Sequence, residues 1–231
     1  MGTKRIAVLV SGGGTNLQAL IDAQRSGKLQ GGEIVAVLSS KAGAYALERA
    51  AKAGIPGYVV ARKDFDSNQA MTVALVEKLQ SLHVDLVVLA GFLHILTGEM
   101  VAAYPNVILN VHPALIPSFC GKGAYGLHVH EMALSYGVKV TGATVHLVTE
   151  EPDGGPIVLQ KAVAVLGLLA AAALTAAVAV GAFQSAASMG LAAIGIAAGI
   201  TAVTAAIAAA NQQAQAGASQ VRVPGLASGG L

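Results

Sequence analysis

Short apolar runs alternate with amphipathic stretches through the first half of the chain, and this alternation constrains the fold more than any other feature. The clearest runs are "RIAVLVS" (5–11), "EIVAVLSS" (33–40) and "VDLVVLAGF" (84–92). Apolar residues occupy both alternating positions in each run, as in strands that are covered on both faces. "GYVVA" (57–61) and "NVILNVHP" (106–113) are read as two further strands.

Stretches with helical spacing of apolar residues separate these strands. The predicted helices cover 16–28, 44–54, 67–83 and 97–105, with Ser67 as a plausible cap of the third. Strands and helices that alternate at this length favour right-handed βαβ units. We therefore predict an α/β fold, a twisted and mainly parallel sheet with helices on both faces.

The chain continues past this alternation with a Gly-rich loop and two more strands. The loop covers 117–130 and leads into a predicted helix at 130–137. "VTGATVHLVTEE" (140–151) alternates polar and apolar residues, which predicts a more exposed strand. Residues 151–165 are predicted to form a tight turn and a last strand.

Charge and cysteine content exclude several classes of protein. A formal net charge of +2 is too small to indicate a nucleic-acid-binding or anionic-membrane surface. The single cysteine, Cys120, excludes an internal disulfide framework and fits a reducing compartment, so we expect a cytoplasmic protein. We expect no signal peptide, because the first apolar run is short and ends in glycines.

The glycines of "SGGGTNLQ" (11–18) follow the first strand and open the first helix, as in loops that bind phosphate through backbone N–H groups. The dinucleotide-binding pattern fails, since its third glycine would fall at Leu17, and no Gly-Lys-Ser/Thr is present. The loop therefore favours one small phosphate monoester. A tight turn without a ligand is the alternative.

Asn110 and His112 lie two positions apart at the end of a predicted strand, so both side chains point to the same side. Asp153, in the turn "EPDGGP", is a candidate carboxylate partner for the imidazole. An amide donor can stabilise an oxyanion, and no serine or cysteine stands in a nucleophile elbow. This set fits direct acyl or formyl transfer to an amine. His112 as a purely structural strand-end histidine is the alternative.

A metal site is not expected. His128 and His130 with Cys120 form the strongest candidate, but the His-x-His spacing is too short for one helix face and no acidic partner is near. Cys120 is better explained by packing than as a nucleophile, and His146 is read as a strand residue near the site.

The chain from about 4 to 163 resembles the phosphoribosylglycinamide formyltransferases, the folate-dependent formyltransferases of purine synthesis. Six segments carry the resemblance in order: "VLVSGGGTNLQALID", "ERAAKAGI", "DLVVLAGFLHIL", "NVHPALIPSFCGKG", "KVTGATVHLV" and "DGGPIVLQ". The related methionyl-tRNA formyltransferases share the Asn-x-His and Asp elements but lack the "SGGGTNLQ" loop. The resemblance implies a formyltransferase-like α/β domain over 1–163.

The resemblance also implies substrates and roles. Asn110 and His112 would polarise the formyl group of 10-formyltetrahydrofolate, the co-substrate, and Asp153 would orient His112 and a proton-shuttling water. Glycinamide ribonucleotide would supply the acceptor amine. The other implied site residues fall into two groups. The phosphate of glycinamide ribonucleotide would bind to Gly14, Thr15 and Asn16. The folate pocket would be lined by Leu89, Phe92, His94, Ile95, Leu96 and Val101.

Two departures from the family pattern stand out. His94 occupies a position where the family often has Arg. After residue 163 the family continues with a charged helix that includes a Glu near the substrate amine, whereas this chain has "VLGLLAAAALTAAVAV". The second departure puts the acceptor side of the site in question.

Residues 162–221 contain no charged side chain. We predict an Ala-rich helical hairpin over 164–210, because Ala favours helix, and a flexible tail over 211–231. Each apolar run could span a bilayer by length, but Ala is a weak anchor and flanking aromatics are lacking, so membrane insertion is not favoured. The segment also weakly resembles the apolar region of phage tail tape-measure proteins.

The sequence thus predicts formyl transfer from 10-formyltetrahydrofolate to glycinamide ribonucleotide, small molecules rather than nucleic acid being the partners. The alternative is an inactive formyltransferase-like domain joined to a membrane-inserting or phage-tail structural segment. Three interpretations of the C-terminal segment stay open: it covers the sheet, it forms a membrane hairpin, or it is an unrelated joined sequence. The oligomeric state stays open as well.

Overall fold

A computed structural model describes residues 3–164 of the chain. These residues form one seven-stranded sheet, and its strands are β1 (Lys4–Val10), β2 (Gly32–Ser39), β3 (Gly57–Val59), β4 (Leu86–Leu89), β5 (Ile108–His112), β6 (Val140–Leu147) and β7 (Ile157–Ala164). The helices are α1 (Thr15–Arg25), α2 (Tyr45–Lys52), α3 (Asn68–Ser81), α4 (Gly98–Ala103) and α5 (Leu127–Tyr136), with a short 3₁₀ helix at Arg62–Asp64.

The strand order is β3-β2-β1-β4-β5-β6-β7. The first five strands of this order pair in parallel, and β6 and β7 add to the end of the sheet in antiparallel pairings. The mainly parallel α/β architecture predicted from the sequence is therefore confirmed. The order reverses at β1, which places the loop after β1 beside the loop after β4.

Two apolar clusters cover the two faces of the sheet. Ile6, Val8 and Val10 of β1 pack with α1 and α2 on one face, while Ala7 and Leu9 pack with α3 and α4 on the other. This alternation within one strand is the pattern of a strand buried on both sides. The predicted helices on both faces are confirmed as well.

Ser67 caps α3 as predicted, since its hydroxyl oxygen accepts a hydrogen bond from the Ala70 N–H (3.0 Å). The fifth helix begins at Leu127, three positions before the predicted start at 130. The preceding Gly126 has a φ of 56°, so the chain can turn into the helix there.

The prediction of an exposed strand at 140–151 is wrong. β6 ends at Leu147, and its residues from Thr141 to His146 are all buried. The polar side chains in this run are satisfied internally: the Thr144 hydroxyl donates to the carbonyl of Ala114 (2.7 Å) and accepts from the N–H of Ile116 (3.0 Å). A polar residue that is hydrogen-bonded in this way can occupy a buried position.

Apart from Ala164, which ends β7, the predicted helical hairpin at 164–210 and the tail at 211–231 lie outside the described residues. Between residues 3 and 164, no helix is both long and apolar enough to cross a membrane.

Candidate active site

One cavity of about 590 Å³ opens at the carboxyl edge of the parallel strands. The loops that follow β1, β4 and β5 form its walls, together with the turn between β6 and β7 and the start of α5. This is the edge at which ligands bind in open α/β sheets. The residue sets that the sequence pointed to at three different places in the chain therefore share one cavity.

The structure brings Asn110, His112 and Asp153 together at this cavity. The Asn110 amide nitrogen lies 3.4 Å from Oδ1 of Asp153, and Nδ1 of His112 lies 3.6 Å from Oδ2 of the same carboxylate. Asn110 and His112 project from one side of β5, as their spacing predicted, because neighbouring Leu109 and Val111 pack into the opposite apolar cluster. The three side chains can thus act on one group.

The turn between β6 and β7 delivers Asp153. Its backbone is in the left-handed region, with a φ of 56°. Two residues on, a Cβ at Gly155 would lie 1.8 Å from the carbonyl oxygen of Leu147, so only glycine fits where the turn closes on the strand. The N–H of Gly121, from the loop after β5, donates to Oδ2 of Asp153 (2.8 Å) and fixes the carboxylate.

His146 joins the site from the neighbouring strand. It stands directly opposite Asn110 in the antiparallel register of β5 and β6 and is buried. Its Nδ1 lies 2.9 Å from the Leu147 carbonyl oxygen, which can only accept, so Nδ1 carries a proton. Its Nε2 then accepts from the Asn110 amide (3.0 Å) and lies 3.5 Å from Asp153. This contact determines which end of the Asn110 amide is the nitrogen.

The carbonyl group of Phe119 determines which ring nitrogen of His112 carries the proton. Nε2 lies 2.8 Å from the carbonyl oxygen of Phe119, so Nε2–H is the donor and Nδ1 faces the Asp153 carboxylate. Burial lowers the pKa of His112, against the opposing effects of the Asp153 charge and the Phe119 carbonyl. The imidazole is therefore neutral near pH 7 and carries its proton on Nε2.

Asp153 remains ionised in this setting. Burial by itself would raise its pKa, but the neighbouring ring of His146, the N–H of Gly121 and the neighbouring ring of His112 together lower it. A carboxylate that stays charged at the cavity can take up a proton released nearby, and it would stabilise the His112 ring whenever that ring carries a proton on Nδ1.

The glycine loop forms the cavity wall next to α1. Gly14, Thr15 and Asn16 all line the cavity, together with Gly12 and Gly13. Gly14 is the residue that precedes α1; its φ is 70°, and no side chain in the described part of the chain caps the helix. The first N–H groups of α1 are thus left for a ligand, and this end of a helix favours anions.

The loop after β4 forms an apolar wall on the other side. Of the residues predicted to line a folate pocket, Leu89, Phe92, His94, Ile95 and Leu96 line the cavity. Burial lowers the pKa of His94, as do the charges of Arg62 and Lys41, so this ring is neutral near pH 7. Ile95 is 56% exposed, so the wall offers apolar surface to a ligand.

Val101, the sixth residue predicted for the folate pocket, is not among the residues that line this cavity, and its assignment stays a prediction. It lies on α4, where the preceding Met100 is buried in the apolar core of the α3 and α4 face. Successive residues on a helix are rotated by about 100°, so Val101 faces elsewhere than Met100. The part of the cavity wall that follows β4 ends at Leu96, before α4 begins.

The weaker candidates do not form a metal centre. Over residues 3–164, no group of three or more His, Cys, Asp or Glu side chains has the arrangement of a metal site. His128 is exposed and lies 3.4 Å from Glu131 on α5, while Cys120 contacts the carbonyl of Pro117. His130 is buried and lines the cavity, which its sequence position did not suggest.

Sequence reasoning missed two backbone groups of the site, the Gly121 N–H and the Phe119 carbonyl, and underestimated His146. The backbone groups belong to a loop without periodicity, so no residue pattern marks them. A signal for His146 did exist: an antiparallel pairing of 108–112 with 144–147 places it opposite Asn110.

A scan against family models matches residues 4–184 to the formyl transferase family. The phosphoribosylglycinamide formyltransferase of Haemophilus influenzae is 48% identical over 160 residues, which cover 69% of this chain and 73% of that protein. The trifunctional purine biosynthetic protein adenosine-3 of Drosophila pseudoobscura pseudoobscura is 48% identical over 165 residues, and the chain spans only 12% of its length.

Solved structures agree with the sequence relatives. The glycinamide ribonucleotide transformylase 1 of Symbiobacterium toebii superimposes with a TM-score of 0.73 and 39% identity, covering 90% of this chain and 87% of that one. The phosphoribosylglycinamide formyltransferase of Bacillus halodurans also gives a TM-score of 0.73, at 31% identity.

Proposed function

The chain belongs to the formyl transferase family, and on that basis we propose that it transfers the formyl group of 10-formyltetrahydrofolate to the amine of glycinamide ribonucleotide. The named relatives are enzymes of this reaction type, and the comparisons give no support to the alternative of an inactive domain joined to a structural segment. The substrates are small molecules, without nucleic acid or membrane, and we place the reaction in the cytoplasm.

The observation that carries the proposal is the convergence of Asn110, His112 and Asp153 at one cavity that also contains the glycine loop. The amide of Asn110 and the imidazole of His112 each lie within 3.6 Å of the ionised carboxylate of Asp153. Acyl transfer needs such a set, because a developing oxyanion must be stabilised and a proton must leave the attacking amine.

In the proposed reaction the amine nitrogen attacks the formyl carbon, a C–N bond forms, and the carbonyl electron pair moves onto oxygen. His112 Nε2–H and one N–H of Asn110 donate to that oxygen. Nε2–H must exchange the Phe119 carbonyl for the substrate oxygen. Of the two hydrogen bonds that the Asn110 amide nitrogen makes, the one to Asp153 is the longer (3.4 Å), so this is the contact that the substrate oxygen would replace.

The intermediate then collapses, and the bond between the formyl carbon and the folate nitrogen breaks. The amine loses a proton and the folate nitrogen gains one, so the proton balance is zero. Asp153 is ionised and partly buried beside the reacting groups, and in this account it takes up the amine proton directly or through one water.

The two substrates would occupy opposite walls. The phosphate of glycinamide ribonucleotide would lie against Gly14, Thr15 and Asn16, where free backbone N–H groups and the α1 N-terminus favour an anion. The folate would lie against the apolar wall formed by Leu89, Phe92, His94, Ile95 and Leu96.

A spectrophotometric formyl-transfer assay on the full 231-residue chain, with His112→Ala beside it, tests the proposal. We expect turnover that needs both substrates and that falls at least about a hundredfold in His112→Ala, since one positioned acid–base group is worth that much. Turnover that is absent from the unmodified chain, or unchanged by His112→Ala, would contradict it.

A further inference from the structure

Helix α2 holds the back of the glycine loop. The Ala46 N–H donates to the carbonyl oxygen of Gly12 (3.1 Å), and Nε–H of Arg49 donates to the carbonyl oxygen of Gly13 (2.8 Å). In a trans peptide the carbonyl and the following N–H point in opposite directions. With both carbonyls turned toward α2, the N–H groups of Gly13 and Gly14 point away from α2.

These two N–H groups have no hydrogen-bond partner among residues 3–164. Both glycines line the cavity, and a Cβ built on Gly13 would meet no atom within 4 Å, so the space in front of the loop is open. Behind the loop the packing is tight, since a Cβ on Gly14 would lie 2.6 Å from Cβ of Ala46. Helix α2 thus packs tightly against one side of the loop, and the other side faces the cavity.

Arg49 is itself held in place. Its Nη1 donates to Oε1 of Gln18 on α1 (3.1 Å), and its guanidinium carbon lies 4.9 Å from the centre of the Tyr45 ring. Every close charge pair within the described part of the chain involves a histidine, so no carboxylate within 4.0 Å neutralises Arg49 there. An uncompensated positive charge therefore lies directly behind the loop.

We infer that Arg49 is a positioning residue for the phosphate of the acceptor substrate, an inference that rests on the proposed function. It turns the Gly13 carbonyl away from the cavity, so that the following N–H faces the phosphate, and it adds a positive charge on the far side of the loop. It acts through the loop and makes no contact with the reacting atoms.

The test compares two acceptors, glycinamide ribonucleotide and the same glycinamide riboside without its phosphate. For Arg49→Met, we expect the ratio of kcat/KM for the phosphorylated over the phosphate-free acceptor to fall about tenfold, the worth of one charge-assisted hydrogen bond. The turnover at saturation and the KM for 10-formyltetrahydrofolate should stay within about twofold. Arg49→Lys keeps the charge but loses the forked contact, so it should recover part of the ratio.

Arg25→Met is the matched control. Arg25 also connects α1 to α2, through Nη2 and the Lys52 carbonyl (3.3 Å), but it is exposed and lies at the other end of α1 from the loop. The same loss of a guanidinium at this position should leave the ratio unchanged.

A purely structural role for Arg49 would lower kcat/KM equally for both acceptors and leave their ratio unchanged. An unchanged ratio would therefore overturn the inference. If the unmodified chain transfers no formyl group, the proposed function fails and calorimetric binding of glycinamide ribonucleotide decides about Arg49. Weaker binding by Arg49→Met than by the unmodified chain would then support the inference, and equal or undetectable binding by both would overturn it.

Discussion

Asp153 is the residue on which the candidate site depends most, through its carboxylate. It accepts the Gly121 N–H and lies within 3.6 Å of both His112 and His146. It also has a lowered pKa, so it is charged over the range in which the enzyme would work. Removing the charge while keeping the shape of the side chain therefore separates its chemical role from its structural one.

Asp153→Asn should lower kcat by at least about a hundredfold, because the neutral amide cannot accept the amine proton. The folate lies against a different wall, so its Kd should change by less than about threefold. Steady-state kinetics and a fluorescence titration with a folate analogue measure the two effects. An equal loss of turnover and folate binding would contradict the role assigned to Asp153.

Buried His146 should matter through its hydrogen bonds. His146→Leu removes the acceptor of the Asn110 amide and the donor to the Leu147 carbonyl, so we expect a loss of about 1–3 kcal/mol in the free energy of unfolding. His146→Gln keeps an acceptor within reach and should lose less stability and less turnover. Urea denaturation and kcat for both variants check this, and a Leu variant as stable and active as the Gln variant would refute it.

The buried histidines His112 and His130 should make stability depend on pH. Burial is the main cause that lowers the pKa of each below its ordinary value of 6.5, so the unfolded chain binds protons more readily than the folded one. The free energy of unfolding should be highest above pH 6.5 and should fall as pH drops below that value toward the folded-state pKa.

Urea denaturation at about pH 7.5 and about pH 5.5 measures this dependence. His130→Met should flatten it, since one of the two titrating groups is gone, and with it a buried Nδ1 that has no hydrogen-bond partner among residues 3–164. A wild-type stability that stays level or rises toward the lower pH would show that these histidines are not held neutral by folding.

Among the elements, the junction of the glycine loop with α2 is a tight contact that bears on the site. A Cβ on Gly14 would lie 2.6 Å from Cβ and 2.8 Å from Cα of Ala46, and the φ of Gly14 is +70°. Because one of these atoms belongs to the helix backbone, the clash cannot be relieved by a side-chain rotation.

Gly14→Ala should therefore destabilise the protein by at least about 2 kcal/mol, from overpacking and an unfavourable backbone conformation together. Gly13→Ala is the matched control: a Cβ there meets no atom within 4 Å, and Gly13 has no positive φ. Its free energy of unfolding should stay within about 0.5 kcal/mol of the unmodified chain. Equal urea midpoints for the two variants would contradict this description of the junction.

The elements also mark the limit of what could be predicted from the sequence. Strands such as β1 alternate between two apolar clusters, and periodicity detects that directly. In β6, periodicity suggested an exposed strand, yet Thr144 and His146 are buried because partners far along the chain satisfy them. Contacts of that kind, like the Phe119 carbonyl at His112, depend on the folded loops and leave no local pattern.

At the scale of the molecule, the sheet order brings together site residues that are distant in sequence. The loops after β1 and β4 meet because these strands are neighbours, and β6 returns beside β5 to place His146 and the Asp153 turn against Asn110. The side chains were identified from residue type and from family resemblance. Their arrangement within one cavity of about 590 Å³ required the folded sheet.

The most direct test of formyl transfer follows a labelled formyl carbon in a single turnover of the full chain. With ¹³C-formyl-tetrahydrofolate and glycinamide ribonucleotide, we expect the label in a new amide on the nucleotide, detected by NMR and mass spectrometry, and no transfer by His112→Ala. Label that stays on the folate, or that is released as free formate without a formylated nucleotide, would contradict the account.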